Sequence, residues 1–309
     1  MVMKIIHYNY HEPITFNEPI SMAIGYFDGL HLGHLSLANK VKEYASSHHT
    51  ASALMTFSPN PLITLEKIKE EHYLTSYHDR AEILENIGID YLIIVSFTKE
   101  VSQLSPEDFF HSFIDPLPLK CLVCGFDYHF GIKGMGDGET LKDLSKDKFP
   151  VYIQEEVTYK GEKISSTRIQ NSLKEGNIEL VNELLGRPYA IQGEVIRGRQ
   201  NGRTIGFPTA NIQYGQYAIP CNGVYAVKIM VKDKMYIGMC NIGYNPTFGS
   251  LDHPSMEVNI FDFDEDIYGE NVKVYFYSFI RKEVKFTFPE HLMNQLKQDK
   301  ERIIHAFKD

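Results

Sequence analysis

The periodicity of the chain changes near residues 186–188, and that change limits the possible folds more than any other feature. Upstream, short apolar runs alternate with segments of helical spacing: residues 22–26, a helix from about Leu32, then residues 52–57 and 91–97, a helix after Ser105-Pro106-Glu107-Asp108, and residues 121–124 and 151–157. Short buried strands separated by helices predict an α/β unit with a parallel sheet, whose ligands bind beyond the C-terminal strand ends. From about Tyr189 the pattern becomes a series of β-branched and aromatic runs, at 191–196, 223–231, 234–243, 256–263 and 272–280, separated by turn residues. These predict an antiparallel sheet or small barrel. Two short helices, 166–175 and 178–185, precede the change, and residues 289–307 have helical period. The reading therefore divides the chain into modules 1–185 and 186–309.

With 309 residues and 43% hydrophobic content, two ordinary cores are affordable. A formal net charge of -9 argues against a general nucleic-acid binder, so any phosphate site is local. No apolar run approaches the length needed to span a bilayer. A soluble cytoplasmic protein without membrane or nucleic-acid partners is expected, and the sequence assigns no oligomeric state. Cys121 and Cys124 form a CxxC without a second pair, on a segment that reads as a buried strand pointing the thiols to opposite faces. Burial is the expected role, rather than zinc or redox chemistry.

The string Gly25-Tyr26-Phe27-Asp28-Gly29-Leu30-His31-Leu32-Gly33-His34 lies where a strand gives way to a helix. Free backbone N–H groups and the helix dipole attract anions there, and an i, i+3 spacing puts both imidazoles on one face. A polyphosphate suits that surface. A surface helix with two incidental histidines is the bland alternative, and a zinc pair would need a third ligand that the spacing does not supply.

The whole ten-residue string resembles the signature of the HxGH nucleotidyltransferases and, in its GxFDGxHxGH form, the prokaryotic bifunctional riboflavin kinase/FAD synthetase family. Three further segments resemble that family's motifs in the same order: TFSPNP at 56–61, GFDYHFGIKGMGD at 125–137 and KISSTR at 163–168. The resemblance implies a Rossmann-like HxGH nucleotidyltransferase domain followed by an antiparallel β-barrel riboflavin kinase domain with a C-terminal helix. It implies that His31 and His34 are catalytic, and that Gly25, Phe27, Asp28, Gly29, Gly33, Ser165, Ser166, Thr167 and Arg168 bind ATP or its phosphates. Asn60, Asp127 and Tyr128 would contact flavin. Asp28 and Asp127 could instead orient metal-bound water. The family's usual histidine is replaced by Asn60, and two usual arginines by Gly134 and Gln170. Lys133 and Arg168 are the candidate compensating cations.

In the second module, GRQNGRTIGFPTANI at 198–212 resembles the riboflavin kinase signature. The resemblance assigns Gly198, Gly202, Arg203 and Gly206 to ATP and Phe207 to flavin. On an extended segment Thr209 and Asn211 point the same way, so two neutral oxygens can converge on one Mg²⁺. Glu257 matches the family's general base, although a strand glutamate is commonly a solvated surface group. Asp262, Asp264 and Asp266 open like an EF-hand, but Ile267 and Lys273 stand where its glycine and bidentate glutamate belong. Calcium is rejected. The segment 241–249 resembles a stretch beside the nucleotide and flavin sites. Within it Asn245, assigned to flavin, replaces a common arginine, and on the following strand Asn259 replaces a common histidine.

The resemblance implies a bifunctional enzyme using ATP and Mg²⁺: riboflavin is phosphorylated to FMN, and FMN is adenylylated to FAD with release of pyrophosphate. The alternatives are a riboflavin kinase with a weak or inactive adenylyltransferase module, and a non-catalytic flavin binder. A different HxGH transferase would explain the first module alone.

Overall fold

The computed structural model describes residues 3–198, 206–244 and 254–308. By contacts the chain separates into two compact units, Met1–Ser166 and Thr167–Asp309.

The first unit contains strands β1 (Lys4–Tyr8), β2 (Ile20–Ile24), β3 (Ala51–Ser58), β4 (Tyr91–Ser96), β5 (Leu119–Gly125) and β6 (Val151–Gln154), and the two-residue strands β7 (Thr158–Tyr159) and β8 (Glu162–Lys163). Its helices are α1 (Leu32–His48), α2 (Pro61–Thr64), α3 (Tyr77–Asn86), α4 (Pro106–Phe113) and α5 (Gly138–Leu144). Six strands form one sheet in the order β1-β4-β3-β2-β5-β6, all pairs parallel. β2 and β3 are buried along almost their whole length, as expected for central strands covered on both faces. Leu37, Ala38 and Val41 of α1 and Leu84 of α3 join the apolar cluster on one face. Phe109, Phe110 and Phe113 of α4 and Leu141 of α5 join the cluster on the other. Cys121 belongs to the first cluster and Cys124 to the second, so the CxxC straddles the sheet as two separately buried free thiols. Burial pushes the Cys124 thiol up to about 11.

Several elements are additional to the sequence reading, among them β1, α2, α3, α5 and the short pair β7 and β8. β1 is an exposed edge strand beside β4, with Lys4 and Ile5 facing solvent, so its sequence lacks the uniform apolar character of the central strands. α3 fills the stretch between β3 and β4 and is opened by a capping box of Ser76 and Asp79.

In the second unit, α6 (Ser166–Glu175, whose first residue is the last of unit one) and α7 (Ile178–Leu185) lead into a six-stranded antiparallel barrel. Its strands are β9 (Tyr189–Ile196), β10 (Ala210–Gln213), β11 (Gly223–Val231), β12 (Lys234–Gly243), β13 (Ser255–Ile260) and β14 (Asn271–Arg281). They close in the order β10-β13-β12-β11-β14-β9, with β9 pairing back to β10. Alternation decides what fills the barrel: Val195, Ile212, Val227, Cys240, Val258 and Val274 are all buried. The terminal helix α8 (Pro289–Ala306) sets Ile303 against Val224, Ala226, Met239 and Ile280. Buried Asp299 of α8 pairs with Arg281 at 2.8 Å.

Candidate active sites

In the first sheet the chain runs from β2 through β3 to β4 on one side, then crosses to β5 on the other. The C-terminal ends of β2 and β5 are therefore neighbours at a topological switch point, with Ile24 level with Cys124. The loops that leave those two ends are 25–31 and 126–137, the two longest motifs of the first module.

The 25–31 loop is sharply folded. Phe27, Gly29 and Leu30 have φ of 56°, 83° and 38°, a region that side chains other than glycine enter at a cost. His31 is the N-cap of α1, its Nδ1 accepting the His34 backbone N–H at 3.3 Å. In the neutral ring this puts the proton on Nε2, the nitrogen able to donate to a phosphate oxygen. The two imidazoles stack at 3.7 Å and 16°, and Phe27 meets His34 edge-on at 5.3 Å. Gly33 lies beneath the first ring: a Cβ there would come within 3.1 Å of His31 Nδ1. Gly25 similarly admits the Phe27 ring at 3.1 Å. The HxGH spacing thus yields one paired imidazole surface at a helix N-terminus.

Asp28 is directed inward. Its carboxylate accepts the Leu74 N–H at 2.9 Å and the Thr75 N–H at 3.2 Å, and it pairs with Arg80 at 3.3 Å. Burial pushes this carboxyl up, against the pull of Arg80 and the two amides. For Arg80 burial disfavours the charge, but Asp28 and Tyr26 more than offset it and hold the guanidinium above its ordinary value. In this geometry Asp28 shapes the loop, and the carboxylate that the sequence reading offered to ATP or to metal-bound water faces protein. Ser166 Oγ donates to the Asp28 carbonyl at 2.8 Å, joining that motif to the loop. Ser165 is half-buried beside it, while Thr167 and half-buried Arg168 lie in the first turn of α6, within unit two.

Beyond the ends of β3, β4 and β5 lies an apolar cavity of about 750 Å³ whose walls include Phe57, Phe97, Phe109, Tyr128 and Phe130, with Lys133 and Gly134 also on its lining. The Tyr128 hydroxyl is buried and has no hydrogen-bond partner among the described residues. Burial pushes it well above its ordinary range, so it remains a donor. Asn60 caps α2 by accepting from Leu62 N–H at 2.9 Å, and its amide reaches Glu71 at 3.4 Å. Asp127 is exposed and paired with Lys163, which also covers the Phe126 ring.

In the second unit β13 lies between β10 and β12, and register places Glu257 directly opposite Asn211 on one side and Asn241 on the other. Glu257 and Asn241 alternate with the buried Val258 and Cys240, so all three polar groups occupy the outer face of the barrel. Gly198 closes over this row: a Cβ on it would lie 2.1 Å from Asn211 Nδ2. Asn259 donates to the Pro208 carbonyl at 2.6 Å and so fixes the turn that presents Thr209. Thr209 lines a cavity of about 410 Å³ together with Phe263, Asp264 and Tyr268. Gly206 has φ of 77°, and Phe207 is half-buried after it. Gly202, Arg203 and Asn245 lie outside the described residues.

Sequence reasoning passed over Arg80 and the contact of Asn259, and it met Asn241 only as the start of the 241–249 segment, without a role. Arg80 was legible only through the Ser76-x-x-Asp79 start of α3, and Asn241 through its place two residues from Gly243 on an alternating strand.

Comparison with known proteins agrees with this architecture. A model of the FAD synthetase family matches residues 14–168, and one of the riboflavin kinase family matches 185–307. A bifunctional riboflavin kinase/FMN adenylyltransferase of Listeria monocytogenes is 42% identical over 97% of this chain and 96% of its own length. One from Bacillus subtilis is 40% identical over 99% of both chains. A solved structure from Streptococcus pneumoniae, named a macrolide-efflux protein, superposes with TM-score 0.88 at 35% identity, covering 96% of this chain and 97% of that one. Among the described residues no helix is long and apolar enough to cross a membrane. The two-unit fold and its strand-end motifs define a flavin-nucleotide transferase. The chain belongs to the bifunctional riboflavin kinase/FMN adenylyltransferase family.

Proposed function

We propose that this chain converts riboflavin to FMN in its second unit and FMN to FAD in its first, consuming one ATP in each step, in the cytoplasm. The carrying observation is that both family models match, each on the unit whose geometry suits its reaction.

For the kinase step, Glu257 takes the proton of the riboflavin 5′-hydroxyl as that oxygen attacks the γ-phosphorus of ATP, the bond to the β–γ bridging oxygen breaks and ADP leaves. Thr209 and Asn211 fit a hard divalent cation in the chemistry of their donors: a hydroxyl and an amide oxygen, both neutral, with Asn211 level with the carboxylate of Glu257. They would hold Mg²⁺, which supplies charge neutralisation at the phosphates. Gly198 and Gly206 let the backbone approach the nucleotide, joined by Gly202 and Arg203, while Phe207 and Asn245 contact flavin.

For the adenylyl step, the FMN phosphate displaces pyrophosphate from the α-phosphorus of the second ATP. His31 and His34 donate to the phosphates at the dipole-positive end of α1, with Ser165, Ser166, Thr167 and Arg168 assisting. The aromatic cavity accepts the flavin ring, Tyr128 offering its buried hydroxyl and Lys133 a cation, with Asn60 and Asp127 also engaging flavin. The reading of an adenylyltransferase module that is weak or lost has less support, because relatives 40–42% identical over nearly the whole chain carry both names.

Chromatography of products from riboflavin, excess ATP and Mg²⁺ tests the reading. FMN should appear first and FAD follow, with pyrophosphate matching FAD. Accumulation that stops at FMN would overturn the bifunctional assignment.

A further inference from the structure

We infer that Arg80, a residue outside every motif, is a positioning residue for adenylyl transfer, setting the 25–31 loop so that His31 and His34 face the phosphates. The inference rests on the proposed FMN adenylyltransferase reading of the first unit.

Arg80 is 1% exposed, among the most deeply buried large side chains in the protein, and it is cationic. An arginine is seldom enclosed unless all its donors are committed. Here the guanidinium lies over the rings of Tyr26 and Tyr77 at 4.8 and 4.7 Å. Its edge is turned toward the loop: Nη1 donates to the Tyr26 carbonyl at 3.0 Å, Nη2 to Asp28 Oδ1 at 3.3 Å, and Nε to Thr75 Oγ1 at 3.4 Å. Thr75 Oγ1 in turn accepts the Gly29 N–H at 2.9 Å. One planar fork thus fixes positions 26 and 28 directly and position 29 through a single hydroxyl.

Those positions flank Phe27 and end one residue before Leu30, the two non-glycine residues of this loop with positive φ. A turn of that shape does not persist unless its surroundings over-determine it. If it relaxes, the Phe27 ring leaves His34, and the N-cap of α1, which is His31 itself, moves with the loop. Lysine retains the charge but cannot reproduce the flat three-way fork or the stacking between two rings. The fork meets no phosphate. It acts through the histidines.

The test uses the full-length protein, with riboflavin kinase activity as an internal control. In Arg80→Lys, FAD formation from supplied FMN and ATP should fall by about 100-fold, the scale of a 1 Å misplacement, mostly in kcat. FMN formation from riboflavin should stay at the wild-type value. The imidazole ¹H–¹⁵N resonances of His31 and His34 should shift, a signature that a lower folded fraction would not give. Because a buried carboxylate left unpaired destabilises, Asp28→Asn with Arg80→Met is the second variant, removing both charges together. It should recover thermal stability without recovering FAD formation. Wild-type FAD turnover with unshifted histidine resonances in Arg80→Lys, or recovery of FAD formation in the double variant, would overturn the inference. Absence of FAD formation by the wild-type protein would instead overturn the functional reading beneath it.

Discussion

In the first unit the residues assigned to substrate leave strand ends as loops, and a buried charge pair with its satellite hydrogen bonds holds the 25–31 loop in place. In the second unit Asn211, Asn241 and Glu257 stand on three adjacent strands, and ladder hydrogen bonds hold them. The difference teaches where each site is vulnerable. A loop site depends on interior groups that never meet substrate, whereas a strand site depends on register and on what the facing backbone leaves open.

The sharpest way to break this comparison is to remove one assigned group from each unit. Glu257→Gln should lower FMN formation by about 10²–10⁴-fold, the usual worth of a positioned base, while FAD formation from supplied FMN persists. His31→Ala should do the reverse, reducing FAD formation by about 10²–10³-fold, as for loss of one donor to a developing charge. Product chromatography reads both, and equal loss of the two activities in either folded variant would contradict separate sites. Next in size is Gly198→Ala. Its Cβ would collide with Asn211, and an overpacking cost of about 1–3 kcal/mol should appear as a reduced kcat/KM for riboflavin, with FAD formation unchanged.

Smaller effects refine the picture of the first unit. Tyr128→Phe removes a buried hydroxyl that has no hydrogen-bond partner among the described residues, so stability at neutral pH should not fall. If that hydroxyl meets flavin, KM for FMN should rise by the worth of one hydrogen bond, about 0.5–1.5 kcal/mol. The tyrosine also carries a signed pH effect. Its folded pKa is raised, so its contribution is fully present below the unfolded value near 10 and is lost as pH rises toward the folded value. Wild type should therefore lose stability relative to Tyr128→Phe only above about pH 10. The smallest effect belongs to Asp115, held below the ordinary carboxylate range chiefly by the Lys148 hydrogen bond. Its stabilisation is present above the unfolded pKa and lost as pH falls through the folded one. Asp115→Asn should cost under about 1 kcal/mol at neutral pH, and the difference should vanish in acid. Denaturant titrations at several pH values would read it.

The central strands were legible because burial on both faces demands unbroken apolar runs, as in β3, and the barrel strands because one face alternates, as in β9. β1 escaped the reading because an edge strand tolerates Lys4 and exposed Ile5. α3 escaped because its interior contacts use Asp79 and Arg80 besides Leu84, so the usual apolar stripe is weak. The motifs pointed to His31, Gly33, Asn211 and Glu257, but pairing is a tertiary fact. No local pattern says that Asn211 lies opposite Glu257, or that a distant arginine supports Asp28 and the Tyr26 carbonyl. The inward turn of Asp28 was hidden for the same reason, since its partners come from residues 74, 75 and 80.

The placement of Glu257 has a further consequence for how such a chain can vary. Side chains on β13 alternate between barrel interior and outer face, so a slip of one residue would turn Glu257 inward and push Val258 out. A slip of two would restore the face but set the carboxylate beside different neighbours. Changes in length within the strands should therefore silence the kinase even when every assigned residue is retained, whereas changes in the connections beyond the strand ends need not. For this half of the molecule, counting residues between glutamate and asparagine matters as much as keeping them.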